Sequence, residues 1–305
     1  MSVFAQTSAN PEQLLRLGRA DEARQALNAV LEKNPNDAQA YHLLCRLYFE
    51  LELWDTSLKM AEKSVALQPQ NSVYHQWLGR AAGRKAENSN PFTAFNLARR
   101  VRAEFERAVA LDGNNVSARA DLAEYYMEAP AFLGGDKNKS RQQADAVAKS
   151  DAALATYINA RVDEKQSNAR AEQQYKKAIG ESGNQSRYWT ELAYYYRRAG
   201  RMQDMESAIA QSLVARHETD LPDYDGAYLL LRTGRNYSGA IQMLRRYIAS
   251  DNISEDGPRF HAYLMLGELL EKQGDHKAAA DQYRAALSLA SEYRAARDAL
   301  TRVTR

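Results

Sequence analysis

The chain contains little of what marks a disulfide-bonded, metal-binding or membrane-spanning protein. Its one cysteine, Cys45, excludes a disulfide within the chain and a cysteine-rich zinc site. The densest apolar run, Tyr228 to Leu231, stops at Arg232, far short of the roughly 20 residues that cross a bilayer. The sequence therefore predicts a soluble chain without a membrane span, whose fold rests on packing.

Charge of one sign and catalytic motifs are lacking as well. The chain has 41 lysines and arginines against 39 aspartates and glutamates, which disfavours nucleic acid as a partner. Its five histidines form no His-x3-His pair, and Gly134–Lys137 lacks the spacing and the preceding strand of a phosphate-binding loop. No nucleophile neighbours a plausible base in the sequence. We therefore expect no enzyme activity, no metal and no cofactor.

Helix-forming residues dominate what is present. Alanine, arginine, glutamate, glutamine and leucine are plentiful, β-branched runs are almost absent, and the 305 residues include only 15 glycines and 7 prolines. A chain of this length exceeds the usual single domain unless it is an elongated array of repeats. The composition therefore predicts an all-α fold, in which a fixed sequence period is the first feature to test.

Such a period is present, and it is clearest near the end of the chain. Tyr263–Leu270 reads Tyr-x2-Leu-Gly-x2-Leu, and Ala279–Ala286 reads Ala-x3-Tyr-x2-Ala. The first half of this pattern recurs, with small substitutions, in Tyr41–Tyr48 and in Trp189–Tyr196. Aromatic, leucine and small residues at these fixed offsets predict pairs of closely packed helices.

One register fits eight repeats along the chain. Adjacent repeats start between 34 and 44 residues apart, and several of these spacings equal 34. The first repeat starts near Phe4, and the others start near Ala38, Ser72, Val116, Ala152, Ser186, Leu221 and Phe260. Residues 292–305 are predicted to form one more helix, whose polar outer face suits a terminal cap.

The pattern and its period resemble those of tetratricopeptide repeat proteins, from Phe4 to about Tyr293. The departures described next resemble an uncharacterised bacterial branch of that family. The resemblance implies one domain over residues 1–305, a right-handed α-solenoid of about eight helix hairpins followed by a C-terminal capping helix. It also implies that small residues such as Cys45 and Gly267 lie where two helices touch. With Cys45 placed there, His42 and Cys45 are not expected to bind a metal.

Two repeats depart from the template. Residues 87–92 are predicted to form an added loop or turn, after which the second helix of that hairpin resumes at Leu97. In the next repeat, Pro130 should end the first helix, because proline removes a helical hydrogen bond. Gly134–Gly135 permits a turn with positive φ, and Asp136 can cap the following helix.

The resemblance also implies that the first helix of each hairpin lines a concave groove. Residues three or four positions apart share one face of such a helix. The acidic candidates for the groove are Asp121, Glu124, Glu128, Asp163 and Glu164. The other candidates are His42, Arg46, Phe49, Gln76, Arg80, Arg84, Arg187, Thr190, Tyr194, Arg197 and Arg198. The groove is therefore predicted to alternate between basic, acidic and basic stretches.

Alternating charge along a groove favours an extended peptide or a helix of complementary charge order. The sequence thus favours a non-enzymatic adaptor or scaffold that binds a protein or peptide segment. For any single groove residue, a solvated polar face is the plainer interpretation. Two other functions stay open: an RNA-binding helical repeat, whose binding should fall steeply with salt, and a helical enzyme or small-ligand carrier, which needs a deep closed pocket.

The location of the protein is left open by the sequence. Val3–Gln6 resembles the tail of a removed export signal, because Val3 and Ala5 suit a cleavage site. Both the bacterial periplasm or secretion and the cytoplasm therefore stay open, as do the oligomeric state and the identity of the partner.

Overall fold

The computed structural model describes residues 10–164 and 167–305, except for the side chain of Asn168. Within these residues the chain forms 17 α-helices and one 3-10 helix, and no β-strand is present. The predicted all-α class is therefore confirmed. The predicted start of the first repeat at Phe4 and the export-signal residues Val3–Gln6 lie outside the described residues.

The chain divides into two compact units. The first unit combines Met1–Leu53 with Thr219–Arg305, and the second unit is Trp54–Glu218. No helix in the described ranges has the length and the apolar character needed to cross a membrane. The interpretation of residues 1–305 as a single domain stays a prediction.

The second unit consists of helices that pack in consecutive pairs along the sequence. The pairs are α5 with α6, α7 with α8, α9 with α10, and α11 with α12, and α4 packs on α5. Their bounds are α4 Trp54–Leu67, α5 Ser72–Glu87, α6 Pro91–Leu111, α7 Val116–Glu128, α8 Lys137–Val147, α9 Ala152–Glu164, α10 Asn168–Glu181, α11 Ser186–Arg198 and α12 Met202–Val214. The 3-10 helix, Ala131–Leu133, lies between α7 and α8.

The first unit has the same paired organisation. The pairs are α1 with α2, α13 with α14, and α15 with α16, and the C-terminal helix α17 packs on α16 as the predicted cap. Their bounds are α1 Pro11–Arg16, α2 Ala20–Lys33, α3 Ala38–Glu50, α13 Leu221–Thr233, α14 Tyr237–Ala249, α15 Arg259–Lys272, α16 His276–Leu289 and α17 Arg294–Val303.

Within the first unit, N-terminal helices pack against C-terminal ones. Arg46 on α3 forms a salt bridge with Glu255, which lies in the loop between α14 and α15. Asp21 on α2 accepts a hydrogen bond of 2.9 Å from the backbone amide of Ser291. His261 donates through Nε2 to the backbone carbonyl of Glu50 at 2.8 Å. In a linear solenoid each repeat contacts only its neighbours. These contacts between distant parts of the sequence are therefore not ones that the repeat pattern predicts.

Helices begin where the sequence supplies side-chain caps. The side chain of Asp37 accepts from the amide of Ala40 at the start of α3, and Asn115 accepts from Ala118 at the start of α7. Asp275 does the same for Ala278 at the start of α16. Each bond satisfies an amide that has no partner inside the helix, which is why Asp and Asn are favoured there.

Small residues lie where paired helices touch, as the repeat pattern predicts. Cys45 and Ala279 are completely buried. A Cβ atom on Gly267 would lie only 2.3 Å from Cε1 of Tyr283, whose side chain is also completely buried. Glycine at this position therefore allows α15 and α16 to approach more closely than any other residue would.

The predicted loop insertion at residues 87–92 is wrong. The helix α5 continues to Glu87, and α6 begins at Pro91, so the second helix starts six residues before the predicted Leu97. The side chain of Asn90 accepts from the amide of Thr93, and proline needs no hydrogen-bond acceptor in a first turn. The added residues therefore lengthen both helices of the pair and leave only a short turn between them.

The other predicted departure has the expected form. The helix α7 ends at Glu128, directly before Ala129 and Pro130, and Gly134 adopts a φ of 94°. The side chain of Asp136 accepts from the amide of Asn138 at 2.8 Å and so caps α8. Proline, glycine and aspartate thus act as the sequence predicts.

Candidate functional site

A cavity of about 430 Å³ lies in the second unit, mainly between the first helices of successive pairs. We call it the cavity. Its lining comes from α5, α7, α9 and α11, together with Ser140 of α8 and Asp151. Apolar side chains such as Met127, Leu154 and Ile158 line it, and charged side chains of both signs are placed around them. This mixture suits a ligand with both apolar and charged groups.

One edge of the cavity is formed by a hydrogen-bonded group between α5 and α7. Nε of Arg80 donates to Asp121 at 2.7 Å, and its Nη2 donates to the second carboxylate oxygen at 3.1 Å. Nε2 of Gln76 donates to Asp121 and to Oγ of Ser117, both at 2.7 Å. The charge of Asp121 is therefore matched by its neighbours, and adjacent pairs are joined at this edge.

Two carboxyl groups of the cavity, Glu124 and Glu191, lie where water is partly displaced by protein. Burial raises the pKa of Glu124, and although Arg161 opposes this, the nearby charges of Asp121, Glu191 and Glu128 raise it further. Burial also raises the pKa of Glu191, even though Tyr157 donates a hydrogen bond to it. By residue surface, Glu124 is exposed and Glu191 is half-buried.

A second charged network, centred on Arg161, follows the same face from α7 to α11. Nη2 of Arg161 lies 3.1 Å from Glu128, and its Nε lies 3.5 Å from Glu164. Glu164 in turn accepts two hydrogen bonds from Arg198, at 2.9 and 2.7 Å. Charges of opposite sign thus alternate across α7, α9 and α11, each the first helix of its pair, and most of these charged groups already pair with one another.

The structure places the predicted groove residues of the second unit in several different situations. Arg80, Glu124 and Arg187 line the cavity. Glu128 and Arg198 belong to the Arg161 network beside it. Gln76 is buried at the edge of the cavity, where it donates to Asp121. The others lie elsewhere on these helices: Thr190 is buried, Asp163 is buried and pairs with Arg141, Arg84 pairs with Glu87, and Arg197 lies over the ring of Tyr194.

The predicted groove residues of the first unit are largely occupied with contacts inside that unit. His42 is buried, and desolvation, with a smaller contribution from Arg46, lowers its pKa to about 3. Arg46 pairs with Glu255 and lies 3.6 Å from Glu12. Phe49 is half-buried. His42 is therefore largely shielded from solvent, directly before the buried Leu43 and Leu44 of α3.

Three residues that define the cavity were not predicted: Tyr157, Arg161 and Glu191. Glu191 lies one helical turn after Arg187, so the spacing rule could have found it. Tyr157 and Arg161 are also four residues apart, on α9, but only the acidic residues of that helix were predicted to face the groove. Arg161 connects those acidic residues to α7, and this connection depends on the packing between helices.

The cavity combines charged and apolar side chains. Within the described ranges, no group of three or more His, Cys, Asp or Glu side chains is placed to hold a metal ion. Arginine side chains can bind carboxylates, and a partly desolvated glutamate attracts a cation. The fold and this site define a helical-repeat protein with a surface suited to binding.

The family is identified from the sequence of two separate segments. Two models of the tetratricopeptide repeat match, one over residues 14–81 and the other over residues 224–293. The paired helices described above agree with this repeat. The chain belongs to the tetratricopeptide repeat family. Such repeats generally act as non-enzymatic scaffolds that bind proteins.

Several solved structures are similar to this chain, at low sequence identity. A tetratricopeptide repeat protein from Parabacteroides merdae is 12% identical, covers 94% of this chain and 93% of its own, and has a TM-score of 0.45. MamA is 16% identical over 69% of this chain and 95% of its own, with a TM-score of 0.35. The Cut9–Hcn1 hetero-tetramer of APC/C is 12% identical over 99% of this chain and 57% of the matched chain, with a TM-score of 0.44. No curated protein sequence matches.

Proposed function

We propose that this protein is a non-catalytic adaptor that binds a segment of another protein in the cavity of the second unit. The observation that supports this most directly is the position of Glu124 and Glu191, two carboxyls of raised pKa, on the first helices of the repeats. First helices are the elements that the repeat presents towards its groove. A ligand in the cavity would therefore contact the first helices, and it could balance the negative charge of Glu124 and Glu191.

The charge of the cavity selects the chemistry of the segment. The raised pKa of Glu124 and Glu191 means that the positive groups around them do not fully compensate for lost water. A lysine or arginine of the ligand would supply the missing positive charge. Its aliphatic stem would pack on Leu154 and Ile158, which line the same cavity. The segment is therefore basic, with apolar residues next to the basic one.

The same charges make RNA a poorer ligand. The phosphates of a nucleic acid would approach the carboxylates of Glu124 and Glu191 in the cavity, and like charges repel. Most arginines nearby, such as Arg80 and Arg161, are already paired with carboxylates. A protein segment with a basic side chain meets neither obstacle.

The proposal is tested with an array of ten-residue peptides that combine Leu, or Ser as its polar control, with Lys, Glu or the uncharged control Gln. The full chain is compared with the double variant Glu124→Gln and Glu191→Gln. We expect the wild type to bind peptides with Leu and Lys better than peptides with Ser or Gln in their places, and the double variant to bind the Leu–Lys peptides about tenfold more weakly, since it lacks both charges. Glu32→Gln, at an exposed carboxylate of α2, is the control and should bind normally.

The pH dependence gives a second readout with a fixed sign. Both carboxyls have pKa values above the usual 4.5, so at about pH 4.5 both are more than half protonated. Binding of the Leu–Lys peptides should therefore weaken between about pH 7 and pH 4.5 in the wild type, and much less in the double variant. Wild-type binding of Leu–Lys peptides that is no stronger than binding of Leu–Gln peptides, or a double variant with unchanged binding of Leu–Lys peptides, would reject the cavity as the site.

A further inference from the structure

A patch of exposed phenylalanines lies on the second unit, outside the cavity. The exposed fractions of Phe92, Phe132 and Phe95 are 80%, 76% and 40%. Phe92 and Phe95 are three residues apart on α6, so they share one face of that helix. The ring of Phe95 stacks on that of Phe132, with centroids 6.4 Å apart and planes 12° apart. We call these three residues the aromatic patch.

The aromatic patch is built from the two departures from the repeat template. Phe92 and Phe95 belong to the added first turns of α6, and Phe132 belongs to the 3-10 helix that follows α7. Neither segment is needed to pair the helices of a standard hairpin. Exposed apolar side chains that form one patch mark an interaction site, particularly where they do not contribute to the packing of the fold.

The segment that carries Phe132 is held in place by hydrogen bonds. The hydroxyl of Tyr125 donates to the carbonyl of Leu133 at 3.0 Å. The amide of Gly135 donates to the carbonyl of Pro130 at 3.1 Å, and the amide of Asp136 donates to that of Tyr126 at 2.7 Å. Phe132 is therefore presented on an ordered turn, which lowers the entropy cost of binding.

Arginines surround a hollow of about 350 Å³ beside Phe132. Its lining contains Arg99, Arg100 and Arg102 and no carboxylate. Arg100 donates to Glu62 at 2.5 Å, and Arg102 lies 3.5 Å from Glu106. Arg99 is exposed, and no carboxylate of the described ranges forms an ion pair with it. The hollow thus offers one uncompensated cation next to an aromatic surface.

We propose that the aromatic patch and Arg99 form a second docking site, for a protein segment that carries an apolar side chain close to a carboxylate. The apolar side chain packs on Phe132 and Phe95, and the carboxylate pairs with Arg99. Phenylalanine and arginine are both enriched in protein interfaces relative to the rest of the surface. The segment is acidic, whereas the segment proposed for the cavity is basic, so the two sites select different ligands.

Other occupants of the patch fit the charges less well. An anionic membrane surface attracts clusters of basic residues, but here Glu62 and Glu106 neutralise two of the three arginines, and the whole chain carries a net charge of only +2. A second copy of this chain in a two-fold contact would bring together the same hollow from both subunits, and its lining supplies no carboxylate for Arg99. An acidic segment avoids both conflicts.

The test uses the full chain and an array of ten-residue peptides that combine Phe, Leu or Ser with Glu, Gln or Lys at varied spacing. We expect the wild type to bind peptides with Phe or Leu near Glu. Phe132→Ser should weaken this binding about tenfold. In the background of the cavity variant Glu124→Gln with Glu191→Gln, which lacks the charges that attract Lys peptides to the cavity, Arg99→Glu should move the preference from Glu to Lys. A reversed preference reports on charge recognition and would not follow from loss of structure.

Two controls separate this site from other surfaces. Val214→Ser changes another exposed apolar residue, 78% exposed at the end of α12, and should leave binding of the acidic peptides intact. The cavity variant Glu124→Gln with Glu191→Gln should also leave it intact, so failure of the cavity proposal and failure of this one are distinguishable. Phe92→Ser provides a second patch variant if Phe132→Ser misfolds.

Three outcomes would overturn the proposal. The first is a wild type that binds peptides with Phe or Leu near Glu no better than peptides with Ser and Gln. A preference for Glu that Arg99→Glu leaves unchanged has the same meaning. The second is sedimentation with phosphatidylserine vesicles that Phe132→Ser abolishes, which would assign the patch to a membrane surface. The third is a dimer, measured by analytical ultracentrifugation, that Phe132→Ser dissociates, which would assign the patch to a contact between copies.

Discussion

Arg46 on α3 donates two hydrogen bonds to the carboxylate of Glu255, which lies 209 residues later in the chain. Both side chains are mostly buried, with 18% and 20% of their surfaces exposed. The pair therefore connects the N-terminal and C-terminal parts of the first unit in a site where solvent screens charges poorly. This contact makes the stability of α3 depend on residues at the far end of the sequence.

The first prediction concerns this pair. A double-mutant cycle of Arg46→Ala and Glu255→Ala should give a coupling energy of about 1–2 kcal/mol, because a paired hydrogen bond between partly buried charges is lost. Hydrogen exchange of peptides from α3 and α15 gives the free energy of opening in the wild type, the two single variants and the double variant, and these four values give the coupling energy. The exposed pair Arg284–Asp281, with more than half of each side chain in solvent, should give about 0.5 kcal/mol or less. Equal coupling in both pairs would contradict the structure.

Gly267 provides a test of close packing within a hairpin. Gly267→Ala should destabilise the protein by about 1–3 kcal/mol, since the new Cβ would lie 2.3 Å from the buried ring of Tyr283. Gly180→Ala is the control, because a Cβ at that helical position meets nothing within 4 Å, and it should stabilise by up to about 1 kcal/mol. Thermal unfolding followed by circular dichroism distinguishes the two. Similar effects of both substitutions would show that α15 and α16 are farther apart.

The first unit should lose stability in mild acid because of His261. Burial lowers the pKa of His261 to about 4, although its hydrogen bond to Glu50 opposes this. The unfolded chain binds a proton near the ordinary value of 6.5, so stability is lost as the pH falls from about 6.5 to about 4. His42, whose pKa is lowered to about 3, acts in the same direction.

Denaturant unfolding at about pH 7 and about pH 4.5 measures this effect. The loss of stability between the two pH values should be smaller in His261→Gln than in the wild type, because glutamine can donate the same hydrogen bond without titrating. His276→Gln, at an exposed position on α16, should behave as the wild type does. An identical loss in all three proteins would show that His261 does not contribute.

The helical pairs could be predicted from the sequence because their causes are local. Small residues such as Gly267 and Cys45 recur at fixed offsets, and Asp136 caps the helix that follows it. The start of α6 was predicted too late, although Asn90 followed by Pro91 is a recognisable start signal. The prediction relied on the repeat template there, and the template has no place for added helical turns.

Contacts between distant parts of the chain could not be predicted in this way. The repeat pattern relates each hairpin to the next one, so it contains no information on the contact between Arg46 and Glu255. The cavity was predicted only in part. Arg80, Glu124 and Arg187 were selected, but the role of Arg161 depends on three helices at once. Its partners become evident only from the packing.

Binding of a protein segment in the cavity can be observed directly by covalent capture. The most direct measurement is photocrosslinking with p-benzoylphenylalanine in place of Arg187, an exposed residue at the cavity, compared with the same group in place of Gln211, an exposed residue of the second helix α12. We expect crosslinks from position 187 to concentrate on one basic, partly apolar segment of a partner and to decrease in the Glu124→Gln and Glu191→Gln background. Crosslinks of equal yield from both positions, unaffected by those substitutions, would contradict binding in the cavity.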